Sequence, residues 1–152
     1  MGKLFISLFL LFIIFPAQSE DKLKLIFKCK DDRFNFEIIQ NDITKVKIGD
    51  LEIVSHASKH DTGQKTYEWG LVNKSSGVLQ RFFYIIDENR LVIFKINLNK
   101  EQLDLIYKKT EQDKIGKELE KLKAKFFYDE YRKGEKIEKL GEVECKLSGR
   151  KR

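Results

Sequence analysis

Two histidines and an aspartate stand close together in the stretch VSHASKHDTG: His56, His60 and Asp61. Imidazole and carboxylate are common ligands of zinc, and His-x-x-x-His on a helix sets both rings on one face. Ala57, however, stands where the HExxH motif needs its glutamate, and the surrounding pattern is a strand end running into a polar loop. The three residues form a weak metal candidate, short of a closed ligand set, and no cofactor is expected. The other chemically distinctive pair is Cys29 and Cys145, the only thiols in a chain of 152 residues. No CxxC motif or local Cys/His signature accompanies them, which leaves a structural disulfide as the leading reading.

Asp61-Thr62-Gly63 resembles the catalytic corner of the aspartic proteases. The resemblance covers three residues in a single copy, flanked by Lys59, His60, Gln64 and Lys65. In that family the triplet follows an apolar strand and belongs to a buried pair of carboxylates, so a glycine-containing turn describes this copy better. No further set of nucleophile, base and oxyanion donors is legible, nor is a phosphate-cradling loop. A non-enzymatic protein is expected.

The compartment is read from the front of the chain. Lys3 precedes an apolar run, Leu4 to Phe15, which Pro16 ends; Ala17-Gln18-Ser19 follows with small residues at the positions a signal peptidase reads. Crossing a bilayer takes about 20 apolar residues, and this run is shorter. Residues 1–19 therefore read as a secretory signal cleaved near Ser19, and residues 20–152 as one domain, secreted or periplasmic. Disulfides persist in oxidising compartments, so export and a Cys29–Cys145 bridge support each other.

The bridge then constrains the elements. Leu25, Phe27 and Cys29 alternate with Lys24, Lys28 and Lys30, and Val143, Cys145 and Leu147 alternate with Glu142, Glu144 and Lys146. Both segments read as half-buried strands with the cysteine on the apolar face. First and last strands must then lie close together, as in a barrel whose closure removes exposed edges. Between them, period-two stripes recur at Phe36/Ile38, Val46/Ile48, Leu51/Ile53, Tyr67/Trp69/Leu71 and Phe82/Tyr84/Ile86, separated by polar turns. The hairpin over 78–98 is apolar on both faces and reads as the most buried pair.

After residue 98 the period changes. Asn99 with Gln102 forms a capping box, Thr110 with Asp113 gives a second cap signal, and Ile115, Leu119, Leu122 and Phe126 fall on a helical stripe. Gly134 ends this helical segment, about 100–133. The fold class is mainly β with α (α+β): a small antiparallel β-barrel or strongly curved sheet with a helical insertion before the last strand.

Three further groups are candidates for contact with other molecules. Tyr67 and Trp69 read as core, or as lining residues if the barrel holds a small apolar ligand. Phe127 and Tyr131 fall four apart, on a face beside the Phe126 stripe, and are candidate interface residues. Arg150, Lys151 and Arg152 concentrate charge in the tail, where weak contact with anionic surfaces is expected. Residues 20–100 carry +2 and residues 101–152 carry +3, and no nucleic-acid motif accompanies this modest excess. The expected function is an exported binding protein of unknown target. Its alternatives are a carrier with an apolar ligand inside the barrel and an inhibitor that inserts loop 57–63 into a secreted or periplasmic enzyme.

Overall fold

The computed structural model describes residues 22–134 and 136–152; the segment 1–19, expected to be a secretory signal, lies outside the described residues. Period-two alternation produces nine strands among the described residues: β1 (Leu23–Cys29), β2 (Phe36–Gln40), β3 (Lys45–Ile48), β4 (Leu51–Val54), β5 (His56–Lys59), β6 (Lys65–Asn73), β7 (Val78–Ile85), β8 (Arg90–Asn97) and β9 (Glu138–Lys151). Two helices, α1 (Lys100–Gln112) and α2 (Lys117–Lys133), stand between β8 and β9. All neighbouring strands pair antiparallel, in the order β4-β3-β2-β1-β9-β8-β7-β6-β5. The helical insertion lets β9 return between β1 and β8.

The two ends of that order, β4 and β5, are halves of one bent strand joined through Ser55. The Ser55 amide donates to the Thr44 carbonyl at 2.9 Å, on the β3 side, while its hydroxyl donates to the Glu68 carbonyl at 3.0 Å, on the β6 side. One buried serine thus ties both edges of the sheet, and the sheet curls into a nearly closed barrel.

Aromatic rings fill the interior. Phe27, Phe36, Tyr67, Trp69, Phe82 and Tyr84 form one buried cluster with Ile38, Val46, Leu91 and Ile93. Phe27 stacks on Phe36 with ring centroids 4.7 Å apart, and Trp69 stacks on Phe82 at 5.4 Å. Cys29 and Cys145 lie in the same layer, directly opposite one another on β1 and β9, with Cα atoms 3.9 Å apart, and are bonded. The expectation that the cysteines join the first and last strands is met. The bridge spans 116 positions of sequence. Fixing so long a loop stabilises by about 5 kcal/mol in the chain-entropy picture.

The helices cover one side of the barrel. Asn99 and Gln102 exchange hydrogen bonds at the start of α1 as a capping box, and Gly134, at φ 68°, closes α2. A second cluster, including Leu79, Phe83, Ile96, Ile106, Phe126 and Phe127, packs between helices and sheet. Two details differ from the sequence reading. Thr110 lies inside α1, its hydroxyl donating to the Ile106 carbonyl at 2.8 Å, so it caps nothing. Asp113 instead accepts from the amides of Gly116 and Leu119, at 3.0 and 2.8 Å, and starts α2 only after Gly116. Ile115 precedes that helix and is 57% exposed. The buried face of α2 is rotated accordingly: Glu120, Lys123, Ala124, Phe126, Phe127 and Glu130 face inward, and Leu119 and Leu122 are half-buried.

Candidate functional site

On β6, Tyr67, Trp69 and Leu71 point into the barrel, so Thr66, Glu68 and Gly70 face outward. Alternation alone would give those three to solvent, yet α2 lies over them and all are buried. Arg81 of β7 emerges on the same face, opposite Gly70 in the register. Glu68 and Arg81 are 1% and 0% exposed, and α2 adds Glu120 and Lys123 at one-turn spacing.

The four charges compensate. Arg81 hydrogen-bonds Glu120 and approaches Glu68 at 3.5 Å; Lys123 sits 2.8 Å from Glu120 and donates to the Gly70 carbonyl at 2.5 Å. Removing ions from water costs several kcal/mol each, which only such mutual pairing and hydrogen bonding offsets. Close packing also restricts residue 70: a Cβ there would meet the Arg81 Cδ and Nη1 at 3.1 Å. Burial pulls the Lys123 ammonium below its ordinary pKa, against the Glu120 carboxylate.

Toward the surface, Glu68 has further polar partners. Thr66 donates to its Oε1 at 2.8 Å and Tyr128 of α2 donates to its Oε2 at 2.9 Å. His60 Nε2 lies 3.1 Å from Oε1, and His56 Nε2 lies 3.7 Å from Oε2, so His60 is the closer hydrogen-bonding partner. Burial pushes the Glu68 carboxyl up, but His56, Thr66, Tyr128 and the charge of Arg81 outweigh it and hold it at about 2. Burial, then the Glu68 carboxylate, push the Tyr128 phenol up.

The structure therefore brings His56 and His60 together, His56 at the start of β5 and His60 just past its end, around the carboxylate of Glu68. Asp61 stands apart, exposed in the turn where the His60 carbonyl accepts from the Gly63 amide at 2.8 Å. Gly63 adopts φ 83° there, the left-handed conformation a turn of this kind requires. Among the described residues, no three or more His, Cys, Asp or Glu side chains converge with metal-binding geometry. Much of segment 57–63 is strand, since Ala57, Ser58 and Lys59 pair with Tyr67, Thr66 and Lys65. The Thr66 hydroxyl and Glu68 carboxylate both address the same His60 nitrogen. A hydroxyl-activating relay needs them on opposite nitrogens, so this arrangement holds a carboxylate in place.

Beside this network, between the C-terminal half of α2 and the barrel wall, runs an open groove of about 430 Å³. Phe83, Val92, Phe94 and Phe127 form its apolar floor. His60, Thr66 and Tyr128 stand at one end; Arg90, Lys139 and Glu142 stand at another part of the rim, where both cations pair with Glu142. The interface candidates Phe127 and Tyr131 both line it. Phe127 is buried, whereas Tyr131 is 62% exposed and stacks on Phe127 at 6.3 Å. Tyr67 and Trp69 face the barrel interior instead and do not reach the groove.

Glu68, Arg81, Glu120, Lys123 and Tyr128 went unnoticed in the sequence. One signal was available: Glu120, Lys123, Phe127 and Glu130 fall at spacings of three and four, an alternative stripe on α2. Three charged residues on it made it resemble a solvated face. No protein-family model, no curated protein and no solved structure matches the chain.

Proposed function

We propose that the protein is an exported, non-enzymatic binding protein whose recognition surface is the groove between α2 and the barrel wall. The observation that carries this reading is Tyr131, an exposed ring resting on the buried Phe127 above an apolar floor. Aromatic side chains with one face dry and one face open are enriched at recognition surfaces. The occupant is an apolar side chain or short apolar segment of a partner polypeptide. Rim groups already paired with each other leave apolar contact as the main source of affinity. The disulfide supports secretion or a periplasmic location, in keeping with the leader read over residues 1–19. The stacked rings of the interior favour the groove over the barrel as the place where anything binds.

The test is native mass spectrometry of the protein taken from its own export compartment, alongside a Tyr131→Ser variant of unchanged melting temperature. A protein-sized mass addition that Tyr131→Ser loses is the expected result. A small-molecule addition lost in the same variant would replace the partner polypeptide by a small apolar ligand, for which about 430 Å³ is large enough. An addition retained by Tyr131→Ser, or none in either protein, would reject the groove.

A further inference from the structure

The side of the barrel away from the helices carries a row rich in cations, only partly balanced by neighbouring carboxylates. Outward-facing residues on β9, β1, β2 and β3 align in register as Lys151, Lys24, Ile39 and Lys45. With strands about 4.8 Å apart, this row is a strip of three ammonium groups around one aliphatic side chain. The row borders a hollow of about 410 Å³, whose lining also includes Lys22, Asn41, Glu52 and Arg152. Glu52 is the one acidic side chain in that lining, against five cationic side chains. It lies 3.8 Å from Lys45, while Lys24 reaches Glu37 at 3.3 Å; Lys151 makes no ion pair among the described residues.

Register sets like charges against each other on this part of the sheet, and one such pair borders the hollow. Lys24 lies directly opposite Lys151, and Lys28 directly opposite Lys146, on adjacent antiparallel strands. Like charges in that relationship destabilise a sheet. The next row along the same face, Glu37, Lys47 and Glu52, alternates in sign as a merely solvated wall does. Glu37 and Glu52 of that row reach back to Lys24 and Lys45, yet the hollow keeps five cationic side chains against one acidic one, an excess that negative charge from outside can balance. Tail residues divide accordingly: Lys151 joins the strip, whereas Arg150 pairs with Leu25 and lies on the opposite side of the sheet.

We propose that this hollow binds a multiply charged phosphate group, with Lys24, Lys45 and Lys151 as its cationic contacts and the Asn41 amide as a neutral donor. The site is independent of the groove beside α2. Several ammonium groups at the wall of one concave site can together neutralise several phosphate oxygens, and a phosphate so held binds less tightly as salt rises. The same chemistry is offered by a soluble phosphate ester and by the headgroup of an anionic lipid.

The test titrates pyrophosphate into the full mature protein at low salt and follows backbone amide shifts. It is repeated on Lys24→Gln/Lys151→Gln and on Lys108→Gln/Lys121→Gln, a control with the same charge change on the helices. Saturable shifts at Lys24, Ile39 and Lys45, weakened about tenfold or more in the first variant and little changed in the control, are expected. Lys24→Gln/Lys151→Gln removes a like-charge pair together with the partly exposed Lys24–Glu37 ion pair, so its melting temperature is expected to stay close to that of the wild type, which separates lost binding from lost folding. Sedimentation with phosphatidylglycerol vesicles identifies the source. Vesicle binding displaced by pyrophosphate assigns the lipid headgroup, and pyrophosphate binding without vesicle binding assigns a soluble ester. Equal losses in both double variants, or no saturation in the wild type, would overturn the site.

Discussion

Tyr128 of α2 donates a hydrogen bond of 2.9 Å to Glu68 of β6, across 60 positions of sequence, and this contact places the helix over a glutamate that has only 1% of its surface exposed. Around it, Arg81, Glu120 and Lys123 complete a buried set of two cations and two anions. The helical layer is therefore anchored by charge as well as by the phenylalanines beside it. The groove proposed as the recognition surface begins where that polar network reaches solvent.

Arg81 is the hub of the network, and its removal leaves two carboxylates buried without their shared cation. Arg81→Met is expected to lower stability by about 3–5 kcal/mol, measured by urea unfolding at neutral pH. Tyr128→Phe removes one hydrogen bond to a charged acceptor and is expected to cost less, about 1.5–3 kcal/mol. Equal losses in the two variants would show that Arg81 does not hold the set together.

Acid should expose the contribution of Glu68. Its carboxyl is held at about 2 in the folded protein against an ordinary value of 4.5. A lowered folded pKa gives stability that is present above the ordinary value and disappears as pH falls toward the folded one. The stability difference between wild type and Glu68→Gln is thus expected to be full near neutrality and to shrink between pH 4.5 and about 2. Urea midpoints across that range measure it, and a difference independent of pH would contradict the assignment.

Gly70 faces the network rather than a turn. Gly70→Ala sets a Cβ at 3.1 Å from Arg81 and 3.2 Å from Leu79 Cδ1. Both neighbours are fully buried, so the expected loss is about 1–3 kcal/mol. A thermal melt of Gly70→Ala equal to wild type would mean that the Arg81 side chain can move aside.

The disulfide links strands that are already hydrogen-bonded neighbours, so its loss acts mainly on the unfolded chain. A Cys29→Ala/Cys145→Ala variant is expected to keep the barrel while losing up to about 5 kcal/mol in urea unfolding. Near-ultraviolet circular dichroism separates the two effects: an unchanged aromatic spectrum with a lower midpoint is the expected pair of results.

Much of the framework can be read from local pattern. Alternation around Cys29 and Cys145 placed both cysteines on apolar strand faces, and Asn99, Gln102 and Gly134 marked the ends of the helical segment. These features are legible because a strand's two faces, a capping box and a left-handed helix end depend on residues within a few positions of one another. A bond between Cys29 and Cys145 by itself requires the first and last strands to lie near each other.

The Tyr67/Trp69/Leu71 stripe implies that Thr66, Glu68 and Gly70 share the other face of β6, but alternation carries no information about what lies against that face. Only the packing of α2 made that side an interior and turned Glu68 from a solvated carboxylate into the centre of a network with Arg81, Glu120 and Tyr128. The inward face of α2 was misread for the same reason. A charged residue looks solvent-facing until its counter-charge is known, and here that counter-charge lies on a strand far away in sequence. The row of Lys151, Lys24, Ile39 and Lys45 likewise exists only through pairing register. Sequence by itself determined which residues share a face; tertiary structure alone decided which faces meet, because burial and charge compensation are properties of pairs brought together by the fold.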